Sequence, residues 1–90
     1  MINFKIAETE TYSKKVNSAK YSHLYKKIYD EVYPMLRGNP FFGVHIKKLK
    51  GKFKDIYRFR IGNYRLFYKI EEKEALIFLI DIEDRQSAYK

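Results

Sequence analysis

The chain has 90 residues, of which 46% are apolar and 18% aromatic, and a net charge of +8, enough for one hydrophobic core and no second one. It has no cysteine, which excludes disulfides and thiolate metal sites, and its longest uninterrupted apolar run is the six residues ALIFLI, too short to span a membrane. The opening MINFKIAETE lacks the apolar stretch of a secretory signal, so a soluble cytoplasmic protein with a single domain over residues 1–90 is expected.

Ile2, Phe4 and Ile6 alternate with polar neighbours and predict a short first strand. Tyr12, Val16 and Ala19 then recur at helical spacing, and the polar stretch from Asn17 to Lys20 contains the end of that helix. Ser22 is the expected N-cap of a second helix, because its hydroxyl can accept an unpaired backbone N–H. Leu24, Tyr25, Ile28, Tyr29, Val32 and Leu36 form its apolar stripe. Pro34 lacks an N–H and predicts an end near Tyr33 or a kink there, with Gly38-Asn39-Pro40 closing the element. The two helices form a hairpin suited to one face of a sheet.

Residues 39–54 read as a loop rich in lysine. Ile56 to Ile61 and Tyr64 to Ile70 both alternate around Gly62-Asn63, a two-residue hairpin turn. Leu76 to Ile82 is almost entirely apolar, as in a strand buried on both faces. The expected fold is α+β, in the order β-α-α-β-β-β, with the helical hairpin on a mainly antiparallel twisted sheet.

Charge is concentrated before and within the hairpin. Lys47, Lys48, Lys50, Lys52, Lys54, Arg58 and Arg60 stand against Asp55 alone, a local charge of +6 that attracts polyanions. Such a run also occurs as a plain solvated loop. With Gly62-Asn63 as the turn, Tyr57, Phe59, Ile61, Tyr64, Leu66 and Tyr68 share one face, and Arg58, Arg60 and Arg65 share the other. Arg60 then faces Arg65 directly. Like charges so placed repel, and a phosphate between the two guanidinium forks would relieve the repulsion. Pairing the last strand around Glu72-Lys73 sets Tyr64 opposite Asp81 and carries the chain end towards the arginines. Glu83 and Asp84 flank Arg85 and are expected to pair with it.

These residues carry a resemblance. LKGKFKDIYRFRIGNYRLFYKI followed by LIFLIDIEDRQSAYK is similar to the RelE/ParE superfamily of toxins, most specifically at Tyr64-Arg65 and at the ending Arg85…Tyr89. The RelE-like branch implies a ribosome-dependent endoribonuclease that cuts mRNA in the A site and needs no metal or other cofactor. It implies catalytic roles for Arg65, Arg85 and Tyr89, and phosphate binding by Arg58 and Arg60, with Lys47, Lys48, Lys50, Lys52 and Lys54 on RNA. Asp84 departs from the pattern, since many relatives have His before the post-strand arginine. The ParE-like branch implies instead a poison of DNA gyrase, and a non-catalytic RNA-binding module is a third reading. The resemblance also implies a cognate antitoxin as a neutralising partner, beside ribosome and mRNA.

Overall fold

The computed structural model describes residues 3–84. In chain order they form β1 (Lys5–Glu8), α1 (Glu10–Val16), α2 (Ser22–Lys27), a π-helical segment (Ile28–Val32) and α3 (Tyr33–Gly38). There follow β2 (Ile46–Lys48), a 3₁₀ turn (Gly51–Phe53), β3 (Tyr57–Ile61), β4 (Tyr64–Glu71) and β5 (Leu76–Asp84). The strands make one sheet in the order β1-β5-β4-β3-β2. β1 runs parallel to β5 and every other pairing is antiparallel. This is the expected α+β architecture of a helical hairpin on a mainly antiparallel sheet, with one strand more than expected.

The β3–β4 hairpin has the expected register, with Ile61 opposite Tyr64, Arg60 opposite Arg65 and Phe59 opposite Leu66. Gly62 has a φ of +56°, the left-handed backbone that a first central position of a type II′ turn requires. Alternation then sends Phe59, Ile61, Leu66 and Tyr68 into the core beneath the helices, where all four are buried.

In the elements before β3, four expectations are corrected in whole or in part. β1 lies at Lys5–Glu8, further along the chain than the alternation of Ile2, Phe4 and Ile6 suggested, and Ile2 lies outside the described residues. Ser22 is the first helical residue rather than the cap; Tyr21 holds the N-cap position and makes no side-chain capping bond. Of the two outcomes expected at Pro34, the end near Tyr33 is the one not seen, since α2, the π-helical segment and α3 follow one another without a break. Before the proline the ladder widens, and the N–H of Tyr33 reaches back to the carbonyl of Ile28. That wider turn accommodates the ring and the missing donor. Finally, β2 arises inside the expected loop, held by β3 through Lys47 opposite Arg58 and Lys48 opposite Tyr57.

The last strand is also displaced. Tyr64 faces Asp84, not Asp81, because the turn spans four residues after Glu71 and a bulge follows at Ile80. Ala75 closes that turn with a φ of 52°. The bulge has a packing reason. Ile77 and Leu79 point into the core, and strict alternation would send the Asp81 carboxylate after them. One extra residue turns Ile82 inward instead, fully buried. Nor is β5 buried on both faces: Phe78 and Ile80 stay half-buried, because the helices cover only one side of the sheet.

β1 is fastened to the helices by phenols. One Glu8 carboxylate oxygen accepts from Tyr25 at 2.5 Å and from Tyr33 at 2.7 Å, and the hydroxyls of Tyr33 and Tyr12 lie 2.7 Å apart. Burial raises the pKa of Tyr12, Tyr33 and Tyr68, and burial with the Glu8 bond pushes Tyr25 up to about 12. All are protonated in the folded state, with folded values above the unfolded value of about 10. Their contribution is therefore complete below about pH 10 and is lost as pH rises through the folded values. Urea midpoints should fall steeply above about pH 10, and Tyr33→Phe should flatten that fall. An alkaline slope identical in the two proteins would show that the cluster is not its source.

Candidate functional site

The face of the sheet away from the helices holds a cavity of about 440 Å³. Three cations reach it: Lys47 from β2, Arg58 from β3 and Arg65 from β4. Their convergence follows from register, since Lys47 faces Arg58 and Arg58 faces Phe67, two positions along β4 from Arg65. Arg65 is only 3% exposed. A guanidinium stays charged at any physiological pH, so the sheet holds a permanent cation at the base of a concavity. The rest of the lining is Asp81 with Leu49, Phe53, Ile56, Phe67 and Ile80.

The other expected basic residues are dispersed. Arg60 faces Arg65 across the hairpin but is exposed and lies outside the cavity. Lys48 belongs to the opposite face, with its ammonium 5.8 Å from the centre of the Tyr57 ring. Lys52 stands over Phe53 at 5.2 Å, and Lys50 and Lys54 are exposed in the connection from β2 to β3. Arg85 and Tyr89 lie outside the described residues.

The acidic end of β5 is tied down from the helical side. Lys15 of α1 pairs with Glu83 and, at 3.1 Å, with Asp81; Lys20 pairs with Asp84 at 2.9 Å. Glu83 and Asp84 thus each have a lysine partner, and their expected pairing with Arg85 lies outside the described residues. Burial opposes the charge on Lys15, but its bonds to Glu83 and Asp81 outweigh that and raise its pKa. These bonds hold β5 against α1 beside Arg65, whose cross-strand neighbour is Glu83.

The family model for the ParE toxin of type II toxin–antitoxin systems (parDE) matches residues 10–89. The chain belongs to this family. No curated protein matches it. Among solved structures the toxin is similar to the RelBE2 toxin–antitoxin complex of Mycobacterium tuberculosis, at 17% identity over 93% of this chain and 100% of that one, with a TM-score of 0.80. It is similar also to the YoeB/ParE toxin of Agrobacterium tumefaciens, at 18% identity over 90% and 98%, with a TM-score of 0.75. The DinJ–YafQ toxin–antitoxin complex of E. coli matches at 19% identity over 99% and 100%, with a TM-score of 0.73. Identities this low speak for the fold alone.

Sequence reasoning missed the apolar wall of the toxin's cavity. Leu49 and Phe53 fall in the stretch read as a lysine-rich loop, and Ile80 and Asp81 are placed by the bulge. The one local signal was the spacing of Ile77, Leu79 and Ile82, which breaks strict alternation. Among the described residues no helix is long and apolar enough to cross a membrane.

Proposed function

We propose that this toxin is a ribosome-dependent endoribonuclease acting on mRNA in the A site. The observation that carries the reading is Arg65, almost fully buried in a cavity it shares with Arg58 and Lys47. A poison acting only by docking needs a surface. A preorganised cation beneath a concavity is what stabilises charge developing on a phosphate.

In this reading the mRNA 2′-hydroxyl attacks the adjacent phosphorus. The P–O5′ bond breaks, leaving a 2′,3′-cyclic phosphate and a 5′-hydroxyl. Arg65 takes the charge gathering on the phosphorane oxygens, and Arg58 with Lys47 holds the phosphate. Tyr89, as the phenolate, accepts the 2′ proton. Arg85 offsets charge on the departing oxygen, which takes a proton from water. Ribosome binding draws on the lysines from Lys47 to Lys54, and Arg60 contributes phosphate contact from the rim. An antitoxin that covers the cationic face with an acidic segment would silence the toxin. The toxin–antitoxin complexes among the similar folds support such a partner.

The second reading, a gyrase poison, is favoured by the family model, whose description is that of ParE. Primer extension on mRNA with and without purified ribosomes, beside a gyrase supercoiling assay, separates the two. Ribosome-dependent cuts are expected, and Tyr89→Phe should slow them by about 10²–10⁴-fold with ribosome binding unchanged. Intact mRNA with inhibited gyrase would overturn the nuclease reading.

A further inference from the structure

The cavity is lined for more than a phosphate. Phosphate needs cations and donors, yet five of the residues around this hollow are apolar: Leu49, Phe53, Ile56, Phe67 and Ile80. Phe53 differs from the other four in being half exposed, with 49% of its surface in solvent. It is held there by local structure. The N–H of Leu49 donates to the Ile56 carbonyl at 2.9 Å, closing the base of the loop. Inside it, the N–H of Ile56 donates to the Phe53 carbonyl at 2.9 Å and that of Lys54 to the Gly51 carbonyl at 3.2 Å. Gly51 has a φ of +70°, so the turn that raises the ring is one that a side chain would strain.

An aromatic ring in this setting has a definite use. Lys52 lies 5.2 Å from its centre, and Lys47, Arg58 and Arg65 occupy the same cavity. A π-face bordered by cations is how proteins take single-stranded nucleic acid, stacking a base while the charges track the backbone. We propose that Phe53 is a base-stacking platform that seats a nucleotide beside the scissile phosphate. The proposal rests on the nuclease reading above. It adds a contact to a base, where the cationic residues make contacts to phosphate.

The test uses the full toxin and purified ribosomes programmed with mRNAs whose A-site codon is natural or carries one abasic position. The readout is the single-turnover cleavage rate of wild type, Phe53→Ala, Phe53→Leu and Phe53→Tyr. Stacking predicts that Phe53→Ala and Phe53→Leu lose about ten- to hundredfold on the natural codon, while Phe53→Tyr stays near wild type. It also predicts that one abasic position slows wild type by a similar factor and slows Phe53→Ala no further, as coupled sites require. Phe53→Leu keeps apolar bulk, so a loss there reports the ring rather than packing. Rates unchanged in Phe53→Ala, or an abasic penalty of the same size in wild type and Phe53→Ala, would overturn the platform and leave the phosphate site standing. Unchanged cutting with weakened antitoxin binding would assign the ring to a protein interface and overturn it as well. If wild type cuts no codon, the nuclease reading fails and the platform falls with it.

Discussion

Arg65→Met should lower single-turnover cleavage by about 10²–10³-fold while leaving the fold in place. The size follows from position: Arg65 is 3% exposed, so its charge acts on the cavity with little screening by solvent. Methionine keeps an unbranched apolar stem without the charge, and removing one buried ion is costly for stability chiefly when it strands a group of opposite charge. The carboxylates nearby keep a partner, since Lys15 pairs with both Asp81 and Glu83. Arg65→Lys restores charge but not the planar fork and should recover only part of the rate. Arg60→Ala is the internal comparison, because Arg60 faces Arg65 but lies outside the cavity. It should cost less than about tenfold, as the loss of an exposed contact does. Rates that fall equally in Arg65→Met and Arg60→Ala would mean that net charge matters and the cavity does not.

Leu66→Ala should produce the largest loss of stability, about 2–5 kcal/mol. Leu66 is fully buried on β4, between Arg65 and Phe67, and its side chain goes to the helix side while theirs go to the cavity. Truncation removes apolar contact and leaves a void that the flanking strands cannot close, because β3 and β5 hold β4 on both sides. For a domain of this size each kcal/mol lowers Tm by about 4–8 °C, so the transition should fall by at least about 8 °C. The urea midpoint should shift with its slope unchanged, the sign of lost stability rather than altered cooperativity. Phe67→Ala is the counterpart on the other face. Phe67 is half-buried at the cavity wall, so its truncation should cost less. If Phe67→Ala costs as much as Leu66→Ala, the core does not lie where the helices cover the sheet.

The two faces explain what could be read from the chain alone. The β3–β4 hairpin was legible because its determinants are local: a glycine able to take positive φ, then residues alternating on both sides of it. That register puts Arg60 opposite Arg65 and sends Leu66 and Tyr68 inward. The helical stripe was legible for the same reason at Leu24, Ile28, Val32 and Leu36, all buried. Tyr29 belongs to the same periodicity yet is 51% exposed, because periodicity names a face but not how far the partner surface extends.

Tertiary structure decided the rest. β2 has three residues, too few for alternation to show, and its hydrogen bonds come from β3. Pro34 stayed inside a helix because the ladder could widen before it while the core kept hold of Val32 and Leu36. The bulge in β5 reflects a competition between Asp81 and Ile82 for the interior, which only the core can settle. The cavity exists because these choices coincide: β2 brings Lys47 to Arg58, the bulge brings Ile80 and Asp81 beside them, and the loop between β2 and β3 folds Phe53 over the rim. Local turn chemistry and side-chain period determined which residues share a face. Which of them meet in one site was set by pairings between distant segments, whose free energy comes from burying the whole core at once.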